Sequence, residues 1–293
     1  MHEPARQTSN FGKYCHPVTP RLDWQTMHEG RQYDNPSVEL ALVDLRVKPQ
    51  PSGSSDTPVL PPVWDQFDPP EGYPVHADEG QHELMVESAG PVIQRQATTS
   101  RMVARVWTSP DQPQSIRVSQ DQLIYTRQRG EGGDRSNWPR WPQRRPEVLE
   151  AWRRFRKVVP DRPLTRVGLR YVNQFDLRNE NLVLAHYFRT LPDVSTDAAP
   201  NGVTQFMLRL ELPQPDDQAH CALVMTTAQA RPAPSETVSI VLDIDVYKEF
   251  TDEQPLADSE LESILDELRG LENRIFESTI TNDIRRLMSS SAQ

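Results

Sequence analysis

Between Leu164 and Leu177 the side chains alternate. Val167, Leu169, Tyr171 and Phe175 fall on one side of an extended chain, and Arg166, Arg170, Gln174 and Asp176 on the other. That pattern predicts a half-buried strand. The same two-residue period predicts a strand over 37–47, with Ala41, Val43, Leu45 and Val47 together on one face. Short strands over 84–88, 102–108, 115–119 and 123–128, with turn residues between them, read as an antiparallel meander. Two more follow over 203–212 and 220–229. A last strand over 237–248 sets Ile240, Leu242, Ile244 and Val246 against Asp243, Asp245 and Tyr247.

Spacings of three and four mark the helices. Val148, Trp152, Phe155 and Val159 form a stripe on a helix over 146–158, with Pro146 suited to its first turn. The C-terminal helix carries Leu261, Ile264, Leu265, Leu268, Leu271, Ile275 and Phe276, opened by a Ser259/Glu262 capping box. It breaks over 278–281, and a short last helix covers 282–288. Brief helical segments are predicted over 63–67 and 182–190. The fold class is therefore α+β: a mostly antiparallel sheet whose apolar face is covered by the 146–158 helix and the long C-terminal helix.

These elements form one domain over 33–290, preceded by a polar arm over 1–32. A Pro/Ser-rich loop over 48–62 and an Arg/Trp loop over 129–145 interrupt it. No repeat of fixed period is present. The order of strands then helix in each half leaves a loose duplication open.

Composition narrows the function classes. A formal charge of −10 opposes wholesale binding to nucleic acid or anionic membrane. No apolar run approaches the ~18 residues needed to span a bilayer, and the opening residues have no apolar leader segment. Cys15 and Cys221 are distant and unpatterned, as in a reducing compartment. The expected location is the cytoplasm, with no cofactor and no metal site indicated. The cluster His76, Asp78, Glu79, His82 and Glu83 lacks the helical spacing of zinc ligands and reads as an acidic surface loop.

If the strands are neighbours, Asp44, Arg46, Arg166, Arg170, Arg209, Glu211, Asp243 and Asp245 share the face opposite the helices. Such a face is either a solvated set of cross-strand ion pairs or a charged groove. In the groove reading, Arg46, Arg166 and Arg170 take an anionic ligand or partner while Asp243 and Asp245 orient the guanidiniums. Asp243 and Asp245 project together and could instead hold a divalent cation for phosphoester hydrolysis, given a third carboxylate and a base.

The stretch from Arg127 to Lys157 breaks the acidic trend, with ten basic residues against four acidic, and Trp138, Trp141 and Trp152 interleaved. Arg140, Trp141, Arg144 and Arg145 could stack and pair with exposed bases, or dock on the protein itself or on another protein. A non-enzymatic binding or adaptor protein with a protein partner is the leading expectation. A metal-dependent phosphoester hydrolase using Asp243 and Asp245, and binding of RNA or single-stranded DNA through the Arg/Trp loop, are the alternatives.

Four motifs in order carry a family resemblance: Tyr33, Pro36 and Val38–Arg46; the pair Tyr73-Pro74; Gly168–Asn173, read Gly-Leu-Arg-Tyr-x-Asn; and Phe276, Glu277, Ile280 and Thr281. Together they resemble a sporadically distributed, uncharacterised prokaryotic family of about this size. The chain departs from it at Leu40-Ala41, in the Pro/Ser insert and in the N-terminal arm. The resemblance implies no activity, and it implies a link to mobile-element or defence loci.

Overall fold

In a computed structural model the described residues are 31–50, 61–89, 92–130, 138–180, 182–195, 197–199, 203, 205–215, 219–228, 237–251 and 257–289, with backbone alone for 81–101. The alternating segment Leu164–Arg178 is β6, beside the middle strand of a nine-stranded sheet. The other strands are β1 (Val38–Val47), β2 (Val75–Ala89), β3 (Val92–Thr108), β4 (Gln114–Ser119), β5 (Gln122–Gln128), β7 (Met207–Pro213), β8 (Ala219–Ala228) and β9 (Thr237–Glu249). Their order is β2-β3-β4-β5-β1-β6-β9-β8-β7, and every pairing is antiparallel. This is the α+β architecture expected from the periodicity.

Two similar halves are visible in that order. In each, a first strand is followed by strands that meander back to lie beside it, and then by a helix. The first half runs β1, then the four strands β2-β3-β4-β5, then α2 (Trp141–Val158); the second runs β6, then the three strands β7-β8-β9, then α3 (Asp258–Thr279). β1 and β6 pair with each other and join the halves, with Val43 opposite Leu169. The loose duplication is thus present as topology.

Registry carries one apolar row across the sheet: Trp107, Ile116, Tyr125, Val43, Leu169, Val246, Cys221 and Leu212 are successive partners. All but Leu212 are buried. α2 and α3 lie over this face, with Val148, Trp152, Phe155, Leu261, Leu265, Leu268 and Leu271 facing it. α1 (Val63–Gln66) closes the β4 side, where Phe67 meets Trp107 at 5.0 Å between ring centroids. α4 (Asn282–Ser289) buries Ile284 and Met288, and its Met288 carbonyl accepts the Asn35 N–H at 2.8 Å. Tyr33 donates to Glu277 at 2.5 Å, so both ends of the domain are tied together.

Several elements differ from the sequence expectation. α2 begins at Trp141, taking over the last part of the expected 129–145 loop; residues 131–137 lie outside the described set. Its first-turn proline is Pro142, the Gln143 side chain accepts the Arg140 N–H at 2.9 Å, and Pro146 sits inside the helix. The C-terminal helix starts at Asp258, because Glu260 rather than Glu262 reaches back, accepting the Ala257 N–H at 2.7 Å. Glu262 pairs with Arg145 instead, at 3.1 Å.

The 182–190 helix reduces to one 3-10 turn over Leu184–His186. Phe188 is drawn into the core beside Phe175, and the backbone of 187–189 bonds to Thr279 and Thr281 at the end of α3. The strand expected over 203–212 begins only at Met207.

The acidic cluster around His76 is strand, not loop. Asp78 and Glu79 lie on β2, paired with β3, and bind Arg105 and Arg117 at 2.6 Å each. Beyond the last β3–β4 pair, Ala104 with Ser119, β2 and β3 continue as a two-stranded ribbon to Ala89 and Val92. Most of the arm at 1–32, and residues 51–60 of the Pro/Ser loop, fall outside the described residues.

Candidate binding face

The side chains that alternate away from the helices form the other face of the sheet, on which no helix packs among the described residues. Registry brings all eight expected charges onto it. Arg46 is opposite Arg166, and Arg166 opposite Glu249; Arg170 is opposite Asp245; Arg209 and Asp243 flank Val224; Glu211 and Asp245 flank Ala222. A period of two and a fixed register place them with no contribution from loops.

Asp44 and Arg166 are the two centres of this lattice. Asp44 is 6% exposed and accepts from Arg46 Nε and Nη2 at 2.9 and 2.7 Å and from Gln122 Nε2 at 2.6 Å. Arg166 lies between strands, with Nε 3.5 Å from Asp44, Nη2 3.0 Å from Asp245, and its guanidinium carbon 3.7 Å from the centre of the Tyr247 ring. It lies over Gly168, where a Cβ would be in ordinary contact with Arg166 Nε and Nη2 at 3.5 Å. His220 stacks on the same Tyr247 ring, while Cys221 points into the core, so the two adjacent side chains do not form a couple.

Arg170 forms a two-pronged pair with Asp243, Nε to Oδ1 at 2.8 Å and Nη2 to Oδ2 at 2.5 Å. Both Asp243 oxygens are therefore occupied. The bond to Asp243 holds the Arg170 guanidinium above its ordinary pKa, and the bond to Asp44 does the same for Arg46. Burial pushes the Asp245 carboxyl up against the pull of Arg166 and Arg170, with Asp44 and Asp243 adding to the rise. Asp243 and Asp245 project together as expected, but they face guanidiniums that already bind them.

Partly exposed aliphatic side chains lie among these ions. Leu40 is opposite Val172, Leu42 opposite Arg170, Ile124 opposite Asp44, and Val224 and Val241 line the β8–β9 side. At a strand spacing of about 4.8 Å the nine strands span roughly 40 Å, so the face is comparable to the ~800 Å² that one partner contributes to an ordinary protein interface.

The Arg/Trp residues divide. Arg140 is exposed at the start of α2. Trp141 Nε1 donates to Asp266 on α3 at 2.8 Å, and Arg145 pairs with Asp266 and Glu262, so these two dock on the protein itself. Arg144 turns inward and is 1% exposed, beneath Trp138 and beside Tyr171. It belongs to a buried polar cluster that the pattern of charges along the chain had not singled out, with Tyr171, Arg269 and Glu272.

Burial pushes the Glu272 carboxyl above the ordinary glutamate value, opposed by Arg269 and Arg144 and helped by Glu277. Between the ordinary and the raised value, the folded chain keeps a proton that the unfolded chain has lost, so rising pH lowers stability through that window. Glu272→Gln removes the titration. The stability of the parent relative to this variant should fall as pH rises from the usual carboxylate range and level off above the raised value. Urea unfolding of both proteins at a series of pH values checks it; a constant difference contradicts it.

Comparison with known protein families, curated proteins and solved structures gives no match to this chain.

Proposed function

We propose that the chain is a non-enzymatic binding protein that docks a protein partner on the open face of its sheet. The observation that carries the reading is the combination on one broad face of partly exposed aliphatics and arginines already oriented by carboxylates. Protein interfaces favour that mixture, because a pre-oriented guanidinium loses little freedom on binding while the aliphatic patch gives up water. A cytoplasmic setting is part of the same proposal: Cys221 is a buried free thiol, pushed up to about 12 by burial, and so unreactive. The family resemblance and its link to mobile-element or defence loci also stand as proposals.

Photo-cross-linking in cells tests the face. A benzophenone residue at Leu42 or Val241 should give a discrete adduct, and one at the exposed Arg274 of α3 should not. Leu40→Glu with Val224→Lys should abolish the adduct and change stability by no more than about 0.5 kcal/mol each, as surface substitutions do. Adducts of equal yield from both sides of the molecule, or an adduct that survives the double variant, would exclude the docking face.

A further inference from the structure

On the open face the side-on fork of two arginines, Nε with Nη2, is matched to a carboxylate: Arg46 on Asp44 and Arg170 on Asp243. Both of those arginines reach solvent, where water could have served instead. Arg144 is the reverse case. It is 1% exposed, yet its Nε and Nη2 find no hydrogen-bond acceptor among the described residues. Among the described residues its one hydrogen bond is from Nη1 to Tyr171 Oη, at 3.2 Å. A buried guanidinium with two unpaired N–H groups is costly, and a buried polar group in this condition calls for an acceptor beyond the described residues.

The surroundings define that acceptor. The Arg144 guanidinium carbon lies 5.7 Å from the Trp138 ring centre and 5.6 Å from that of Tyr171, so aromatic faces hold the fork in place. Arg269 lies over the same Tyr171 ring at 4.4 Å and is ion-paired with Glu272. Two guanidiniums and one carboxylate leave the cluster short of one negative charge. The fork itself demands two oxygens side by side, spaced as in a carboxylate or phosphate group.

We infer that Arg144 binds an oxyanion group, a carboxylate or a phosphate, at the buried junction of α2, α3 and β6. Trp138 is the partly exposed side chain beside this guanidinium. This site is on the helix side of the sheet and is independent of the open-face reading. Arg140, Trp141 and Arg145, its neighbours in sequence, take no part in it.

The test uses the full chain with sodium acetate and with inorganic phosphate as probes, against sodium chloride at equal ionic strength. Either anion should raise the melting temperature in a saturable, single-site manner, and which of the two does so distinguishes the carboxylate from the phosphate source. Arg144→Met should lose this response entirely while melting no lower than the ligand-free parent. Arg144→Lys, which keeps the charge without the fork, should respond more weakly. Should Arg144→Met not fold, the parent decides alone: on ¹⁵N-labelled protein one arginine Nε–H resonance should shift with the probe and saturate with the melting response. No anion effect beyond chloride, or a saturable response that persists in Arg144→Met, overturns the inference and leaves water as the acceptor.

Discussion

Asp44→Ala should destabilise the protein far more than Arg46→Ala. The carboxylate is almost fully buried and serves Arg46, Gln122 and Arg166 at once. Arg46 can turn to water, since half of its side chain is already exposed, but Arg166 is only 15% exposed and keeps Asp245 alone as a close charge partner. Stripping one partner from a buried pair costs about 3–5 kcal/mol, reduced here by the exposure of Arg46, so about 2–4 kcal/mol is expected. Arg46→Ala should cost about 1 kcal/mol or less, because the remaining carboxylate keeps Gln122 and Arg166. Thermal and urea unfolding of the two variants decides the matter. Equal losses would mean that the lattice is a set of independent surface pairs without a centre.

That asymmetry bears on how the face would bind. Guanidiniums gripped by Asp44, Asp243 and Asp245 stay on the sheet in fixed positions, and a partner meets a surface whose side-chain entropy is already spent. Each Asp243 oxygen in turn already accepts a bond from Arg170. On the proposed reading, Arg170, Leu42 and Val172 would offer a partner charge and apolar area side by side.

Much of this was legible in the chain before its structure. Long alternating runs such as Leu164–Leu177 and Thr237–Lys248 determine both strand identity and which side chains share a face, and antiparallel registry then leaves little freedom. What eluded sequence reasoning depended on distant partners. The helical tendency of 182–190 gave way to the backbone bonds that 187–189 make with the end of α3. Pro146 resembled a helix start, although the spacing of Val148, Trp152, Phe155 and Val159 continues backward through Arg144 to Trp141. That continuation was the missed signal. It places an arginine on the buried stripe of α2, just as Leu265 and Leu268 on α3 lead by steps of four to Arg269 and Glu272. A charge on an apolar stripe marks a polar cluster inside the core.

Trp152→Ala should produce the other large effect. The side chain is 1% exposed, packs on Phe155 at 5.7 Å between ring centroids, and carries the Arg156 guanidinium at 5.5 Å. Truncating a buried tryptophan costs about 3–5 kcal/mol, a large part of the roughly 5–15 kcal/mol that holds a domain together. At about 2–4 °C per kcal/mol for a domain of this size, the melting temperature should fall by about 10 °C. Hydrogen exchange locates the loss. With its central anchor gone, α2 should lose protection before β6 and β9, whose ladders remain paired on both sides. If α2 kept its protection while the sheet loosened, the helix would be held chiefly by its N-terminal ties to α3, Trp141 to Asp266 and Arg145 to Glu262, and the apolar stripe would be secondary.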